Sequence, residues 1–128
     1  MRQITTHRGT ITGPNNLDNA IDIDVVDGPG DGGACHQYLI RVFDRDGSAK
    51  LTVPLSFQNG PLLEAGNNGI SIESLLAICI DRLEGFQTGP FKSTANQAAL
   101  DSIRGGLNAL LARREDRARR DTLGTHQG

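Results

Sequence analysis

Apolar and polar side chains alternate with a period of two through much of the first sixty residues, which is typical of β-strands. Three segments carry the pattern, at residues 21–25, 38–43 and 51–57. In the first, two aspartates alternate with apolar residues, which predicts a strand with one buried face. Residues 44–47 (Asp-Arg-Asp-Gly) predict a hairpin turn between the second and third strands. Pro54 cannot donate to a ladder, so the third strand should lie at a sheet edge.

The hydrophobic period changes to that of an α-helix in the second half of the chain. Apolar residues recur at i, i+3, i+4, i+7, i+8 and i+11 from Ile72 to Leu83, along one helical face. Ser71 is a favourable N-cap, and Gly85 or the Gly89-Pro90 pair should end the helix.

A second, longer helix is predicted from Ser93 or Thr94 to about Arg120, with leucine and isoleucine residues as its apolar stripe. Thr94 and Gln97 have the spacing of a capping box, in which the glutamine side chain reaches back to the cap. Each glycine of the pair Gly105-Gly106 costs roughly 1 kcal/mol of helix propensity. Close packing of another backbone against this pair is its simplest explanation.

These elements predict an α+β fold, with a small N-terminal antiparallel sheet followed by two C-terminal antiparallel helices. The length of 128 residues suits one compact domain. Within that domain we distinguish a β-rich part at residues 1–62, a two-helix part at 70–120 and a tail at 121–128.

Composition and charge argue against several classes of protein. A net charge of -2 and few aromatic residues do not suit general DNA or RNA binding, which needs a strong positive field. No segment approaches the ~20 apolar residues of a membrane helix, and the N-terminus lacks a signal-peptide pattern. Cys35 and Cys79 belong to no zinc motif and suit a reducing cytosol, with Cys79 expected to be a buried free thiol.

Motifs for catalysis, metals and cofactors are incomplete. Residues 30–33 lack the third glycine of a dinucleotide fingerprint. Asp44 and Asp46 match only a fragment of a calcium loop, and the three histidines lack metal-ligand spacing. No nucleophile motif is recognisable. We therefore predict a protein that is not an enzyme and that uses no metal or cofactor.

Positive charge is concentrated near the end of the second helix, where residues 113–120 contain five arginines and two acidic residues. Arg113 and Arg117 are four residues apart and share one helical face, and Arg120 follows one turn later. Arginine forks match phosphate oxygens in two-point contacts. The run is either solvated surface charge or the phosphate-binding part of a site for a small ligand.

Two residues near the junction of the predicted helices are candidates to recognise the rest of such a ligand. Phe86 is either a core side chain or a platform on which a nucleobase stacks. Asn96 is either a capping amide or a contact to a base edge or a ribose hydroxyl. Asn96 and Arg113 are separated by about 25 Å along one helix. A small nucleotide therefore contacts both only if the arginines come from a second subunit, packed antiparallel.

The five-residue pattern FQxGP occurs twice, at residues 57–61 and 86–90. Each copy lies where one predicted element ends and another begins. The repetition indicates either a recurring turn or two turns that line one site.

Several segments, in the same order, resemble the phage Thoeris anti-defence family, type one, and together they span about half of the chain. The segments are Phe57-Gln58-Asn59-Gly60-Pro61, Asn68-Gly69, Glu73-Ser74-Leu75-Leu76-Ala77, Asp81-Arg82-Leu83, Phe86-Gln87-Thr88-Gly89-Pro90-Phe91 and the end from Arg113 to His126. One departure is the segment 120–124, where Asp121 places an acidic side chain close to the arginine end.

The resemblance implies a signal sponge. That family binds cyclic ADP-ribose isomers, the glycocyclic variants made by bacterial TIR-domain immune proteins, and leaves them uncleaved, so that Thoeris immunity is not activated. By position, Phe86 would stack on adenine, Asn96 would contact the base or ribose, and Arg113 and Arg117 would hold the phosphates from the other protomer. The additional candidates for ligand binding are Gln87, Phe91, Arg120 and Thr125.

The resemblance also implies a homodimer formed through the long second helix, in the cytoplasm of the infected bacterial host. Some similar proteins assemble into hexamers, as trimers of dimers, that also bind cyclic di- or trinucleotides at other sites. Two other functions stay open at this point. One is a hydrolase of a cyclic nucleotide signal, and the other is an RNA- or protein-binding module that uses the arginine end.

Overall fold

The computed structural model describes residues 2–122, apart from the side chains of Asp31 and Thr122. The chain divides into two compact units, Met1–Ile70 and Ser71–Gly128. The first unit contains the strands and the second contains the two long helices. The predicted α+β class is therefore confirmed.

The four strands form one antiparallel sheet in which chain order is also spatial order. They are β1 (Arg2–Ile4), β2 (Ile21–Val25), β3 (Gln37–Phe43) and β4 (Ala49–Ser56). The three predicted strands are confirmed to within two residues at each end. β4 lies at an edge, as Pro54 predicted, with Pro54 opposite Leu39 of β3.

One face of the sheet collects the apolar positions of neighbouring strands. Ile23 of β2 is opposite Ile40 of β3, and Ile40 is opposite Val53 of β4. Val25, at the end of β2, is the most deeply buried apolar side chain of this unit, with 1% of its surface exposed.

The opposite face of β2 is not the simple solvent face that its alternating aspartates predict. Asp24 is buried, with 9% of its surface exposed, and its carboxylate lies 2.9 Å from the guanidinium of Arg41. Arg8 lies 2.8 Å from the carboxylate of Asp22. A buried carboxylate is costly unless a cation and hydrogen bonds compensate it, so these arginines allow the aspartate face to be covered.

After the sheet, the short helix α1 (Leu62–Ala65) precedes a close backbone approach at Gly69. Phe57, which follows β4, forms a parallel bridge with Ile70. A Cβ atom on Gly69 would lie 2.4 Å from the carbonyl carbon of Phe57. Only glycine fits there without displacing the backbone.

The second unit contains α2 (Ile72–Gln87) and α3 (Thr94–Thr122). The predicted cap of α2 is confirmed, because Ser71 Oγ accepts from the backbone N–H of Ser74 at 3.0 Å. α2 ends at Gln87, between its two predicted stops. Neither helix, nor any other in residues 2–122, is long and apolar enough to cross a membrane.

The predicted capping box of α3 is wrong by one residue. Ser93 is the cap, since its Oγ accepts from the backbone N–H of Asn96 at 3.0 Å. The Gln97 side chain does not reach back to Thr94; it accepts a hydrogen bond from Gln87 and donates one to Asp101.

The two helices pair antiparallel through polar contacts that flank an apolar seam. Glu73, in the first turn of α2, lies 3.4 Å from Arg114 near the end of α3, and Glu84 pairs with Arg104. Leu100 is the buried centre of the α3 stripe, with 2% of its surface exposed.

Cys79 is exposed, so the prediction of a buried thiol is wrong. Ile72 and Cys79 are seven residues apart and so lie on one side of α2. Ile72, on the same uncovered side, is likewise 50% exposed. The α2 stripe is thus wider than the part that α3 covers.

Candidate functional site

The predicted ligand residues of the second unit fall into two groups at opposite ends of α3. Phe86, Gln87, Phe91 and Asn96 surround the α2–α3 turn, which we define as residues 88–93. The arginines at 113, 117 and 120 lie near the other end of the helix. Because α3 is continuous from Thr94 to Thr122, Asn96 and Arg113 of one chain are about 25 Å apart along the helix.

Phe86 lies in the last turn of α2 and is half-buried. The guanidinium carbon of Arg82 lies 5.0 Å from the centre of its ring, a cation–π contact. One face of the ring is therefore covered by a cation, which leaves only the other face as a surface on which a base could stack. Arg82 is not among the ligand-binding residues that the sequence predicts, although its four-residue spacing from Phe86 places both on one side of the helix.

Asn96 is half-buried, and its side chain holds the α2–α3 turn. Its Nδ2 donates to the carbonyl oxygen of Phe91 at 3.1 Å. Its Oδ1 has no hydrogen-bond partner among the residues that the structure describes, and is left to accept from an amino or hydroxyl group. Phe91 itself is 74% exposed.

Gln87 uses both ends of its side-chain amide within the turn. Its Oε1 accepts from the backbone N–H of Ser93 at 3.0 Å, and its Nε2 donates to the carbonyl of Ser93 at 3.1 Å. The same Nε2 lies 3.2 Å from Oε1 of Gln97. An open cavity of about 340 Å³ adjoins this turn, lined by Gln87, Lys92, Ser93, Thr94 and Gln97.

The other FQxGP copy, in the first unit, is used in the same way. Gln58 Oε1 accepts from the backbone N–H of Asn68 at 2.9 Å, and its Nε2 donates to the carbonyl of Gly66 at 2.7 Å. In both copies the glutamine amide closes a loop by pairing with main-chain groups six or more residues ahead. This geometry supports the interpretation as a recurring turn.

The five arginines of residues 113–120 are not equivalent. Three of them form ion pairs, which are Arg114–Glu73, Arg119–Asp116 and Arg120–Asp116. Arg113 and Arg117 are exposed and form no ion pair with any residue of the described chain. The two arginines predicted to hold phosphates are therefore the two whose charge is uncompensated by a carboxylate there. Thr125, the last additional candidate, lies outside the described residues.

The predicted close approach at Gly105-Gly106 is not made by any residue that the structure describes. A Cβ atom on either glycine would meet nothing within 4 Å, and both residues are exposed. The outer face of α3 is open where a second backbone was expected.

The first unit has two larger cavities, of about 460 and 520 Å³. In the first, the Asp27 carboxylate accepts from the backbone N–H groups of His36 and Gln37, and these bonds hold the pKa of Asp27 below its ordinary value. In the second, Arg8 is bound to Asp22. Asp27 and Arg8 are thus bound to other residues of the first unit. Within residues 2–122, no three His, Cys, Asp or Glu side chains are grouped as metal ligands.

Comparison with known proteins bears on the predicted family. No protein-family model matches the chain. The chain is 36% identical, over 87 residues, to a protein of Bacillus phage SBSphiJ7 named Thoeris anti-defense 1. The match covers 68% of this chain and 61% of the phage protein, so the chain spans less than two thirds of the length of that curated relative. On this similarity, the chain belongs to the Thoeris anti-defence family.

Proposed function

We propose that this protein binds a cyclic ADP-ribose isomer of the glycocyclic kind made by TIR-domain proteins, holds it uncleaved, and so blocks Thoeris immunity in the cytoplasm of the infected host. The observation that carries the proposal is the pair Arg113 and Arg117, whose guanidinium groups share one exposed helical face without a carboxylate partner in the described chain. Such a pair suits two phosphates. The name of the phage relative supports the anti-Thoeris part.

The site is proposed to form between two copies of the chain. If two α3 helices cross antiparallel at the open Gly105-Gly106 pair, Arg113 of one copy lies level with Ala98 of the other, and Arg117 lies level with Thr94. Asn96 lies between those levels. The crossing thus brings the uncompensated arginines of one copy to the α2–α3 turn of the other, which a single chain does not do. It also explains why the glycine face is open.

Within that site we propose the roles that the family resemblance implies, and the contacts already described leave the atoms that these roles need. The face of Phe86 opposite Arg82 stacks on adenine, and Oδ1 of Asn96 accepts from the base or the ribose. Arg113 and Arg117 bind the phosphates. Phe91, Gln87, Arg120 and Thr125 are the outer candidates, and Arg120 reaches the ligand only if it leaves Asp116. Hexamers and the binding of cyclic oligonucleotides stay predictions of the resemblance.

Recovery of the ligand separates a sponge from a hydrolase. Glycocyclic ADP-ribose is incubated with the protein, the protein is denatured, and the supernatant is analysed by chromatography. We expect the ligand to be depleted from solution before denaturation and recovered intact afterwards. Recovery of a cleaved product would identify a hydrolase. A salt-sensitive affinity for RNA of any sequence, without affinity for the small ligand, would instead favour the RNA-binding alternative.

A further inference from the structure

We infer that Gln87 is a positioning residue of the ligand site, which acts on affinity without contacting the ligand. The inference rests on the proposed function for the identity of the ligand. It differs from the simplest expectation of the family resemblance, in which Gln87 is one more ligand contact, because both ends of the Gln87 amide are already bound within the chain.

The contact between Gln87 and Ser93 fixes the start of α3. Ser93 is held at both its N–H and its carbonyl by one amide, as a neighbouring strand would hold it. The same Ser93 is the cap of α3, accepting from Asn96 at its Oγ and from Gln97 at its carbonyl. Gln87 therefore determines where the first turn of α3 begins, and with it where Asn96 lies.

A second amide completes the arrangement. Asn96 Nδ2 donates to the carbonyl of Phe91, inside the segment that Gln87 closes. The α2–α3 turn is thus held from α2 by Gln87 and from α3 by Asn96. Oδ1 of Asn96, the atom proposed to accept from the ligand, belongs to the same amide. A turn that is already ordered need not be ordered on binding, so this preorganisation favours affinity.

The chain supplies its own control in Gln58, whose amide closes a loop of the first unit in the same way. We compare Gln87→Ala with Gln58→Ala. Hydrogen exchange reports these two glutamine contacts directly. The N–H group of Ser93 donates to Gln87, and the N–H group of Asn68 donates to Gln58. Each variant should accelerate exchange at its own loop. Only Gln87→Ala should weaken binding of glycocyclic ADP-ribose, by roughly fivefold, the equivalent of one net hydrogen bond.

A double-mutant cycle distinguishes positioning from general stability. If Gln87 acts through Asn96, the loss caused by Gln87→Ala should largely disappear in an Asn96→Ala background. Gln87→Met keeps the length of the side chain and loses both hydrogen bonds to Ser93, so its affinity should fall as far as that of Gln87→Ala. This variant replaces Gln87→Ala in the binding test if Gln87→Ala folds poorly.

Unchanged affinity in Gln87→Ala, or additive losses in the cycle, would overturn the role of Gln87 while leaving the proposed function intact. Failure of the parent protein to bind glycocyclic ADP-ribose would overturn the proposed function, and the positioning role with it. The parent titration, done first, separates these two results.

Discussion

Arginine residues of one short run differ in what their charges contact. Arg119 and Arg120 share the carboxylate of Asp116, whereas Arg113 and Arg117 have no carboxylate partner in the described chain. A guanidinium that is free of an ion pair loses less on binding a phosphate, because no existing pair has to be broken. The ligand affinity of the protein should therefore depend on these residues unequally.

We expect Arg113→Ala and Arg117→Ala each to weaken glycocyclic ADP-ribose binding about 10- to 100-fold, since a hydrogen bond to a charged group contributes about 1.5–3 kcal/mol. Arg119→Ala, which removes the same charge from the same helical end, is the matched control and should bind within about twofold of the parent. Isothermal titration at one salt concentration measures all three. Equal losses in all three variants would indicate a general charge effect, and would contradict a site built from Arg113 and Arg117.

The stacking role of Phe86 makes a second prediction at this scale. Removing the ring in Phe86→Ala should cost about 1–3 kcal/mol of binding, because a base–aromatic stack contributes that much. Arg82→Ala leaves the ring in place and removes only an exposed cation–π contact, worth about 0.5–1 kcal/mol. Titration of both variants should therefore give the larger loss for Phe86→Ala. The reverse order would mean that Arg82, and not the ring, contacts the ligand.

At the scale of elements, the ends of the helices show what a sequence can specify. The cap of α2 was predictable because Ser71 and Ser74 are close in sequence and satisfy each other. The cap of α3 was misplaced because Gln97 has a tertiary partner, Gln87, from the preceding helix. A local pattern contains the first kind of contact and not the second.

The same limit applies to the sheet and to the candidate site. The period of two located β2 but did not show that Asp24 is covered, since its partner Arg41 comes from β3. Residue type and family resemblance identify Phe86 and Arg113 as candidates. The ion pairs of the five arginines depend on residues elsewhere in the fold, such as Glu73. The sequence pattern alone therefore does not show that Arg113 and Arg117 are the two without a carboxylate partner in the described chain.

The corrected cap predicts a larger loss of stability at Ser93 than at the neighbouring Thr94. Ser93→Ala should lower the free energy of unfolding by about 1 kcal/mol, because the N–H of Asn96 loses its acceptor. Thr94→Ala, at the position that the sequence pattern favoured as the cap, should change it by less than about 0.5 kcal/mol. Urea denaturation followed by circular dichroism measures both. A larger effect at Thr94 would restore the capping box that the structure contradicts.

At the scale of the whole molecule, the open glycine pair of α3 is the proposed contact between two copies. Gly106→Leu should abolish the dimer by placing a side chain at the crossing, while raising helix stability by up to about 1 kcal/mol because glycine is a poor helix former. Asn108→Leu adds an apolar side chain to another exposed face of α3 and should leave the dimer intact. Sedimentation velocity reports the association state. A dimer that persists in Gly106→Leu would place the contact elsewhere.

A site shared between copies makes a prediction that no single-chain site makes. In a purified heterodimer of Phe86→Ala and Arg113→Ala chains, one site has both residues intact and the other lacks both. This heterodimer should bind one ligand at the parent affinity, although the homodimer of each variant binds weakly. The reciprocal heterodimer pairs the parent chain with a chain carrying both substitutions.

In that reciprocal heterodimer each shared site lacks one residue, so both sites should be weak. A site within one chain would give the opposite pair of results, namely no full-affinity site in the first heterodimer and one in the second. Titration of the two heterodimers, which have the same composition of substituted residues, therefore tests only how Phe86 and Arg113 are distributed between chains. The separation of about 25 Å along α3 prevents Phe86 and Arg113 of one chain from contacting the same small ligand. We therefore expect the first heterodimer to be the one that binds.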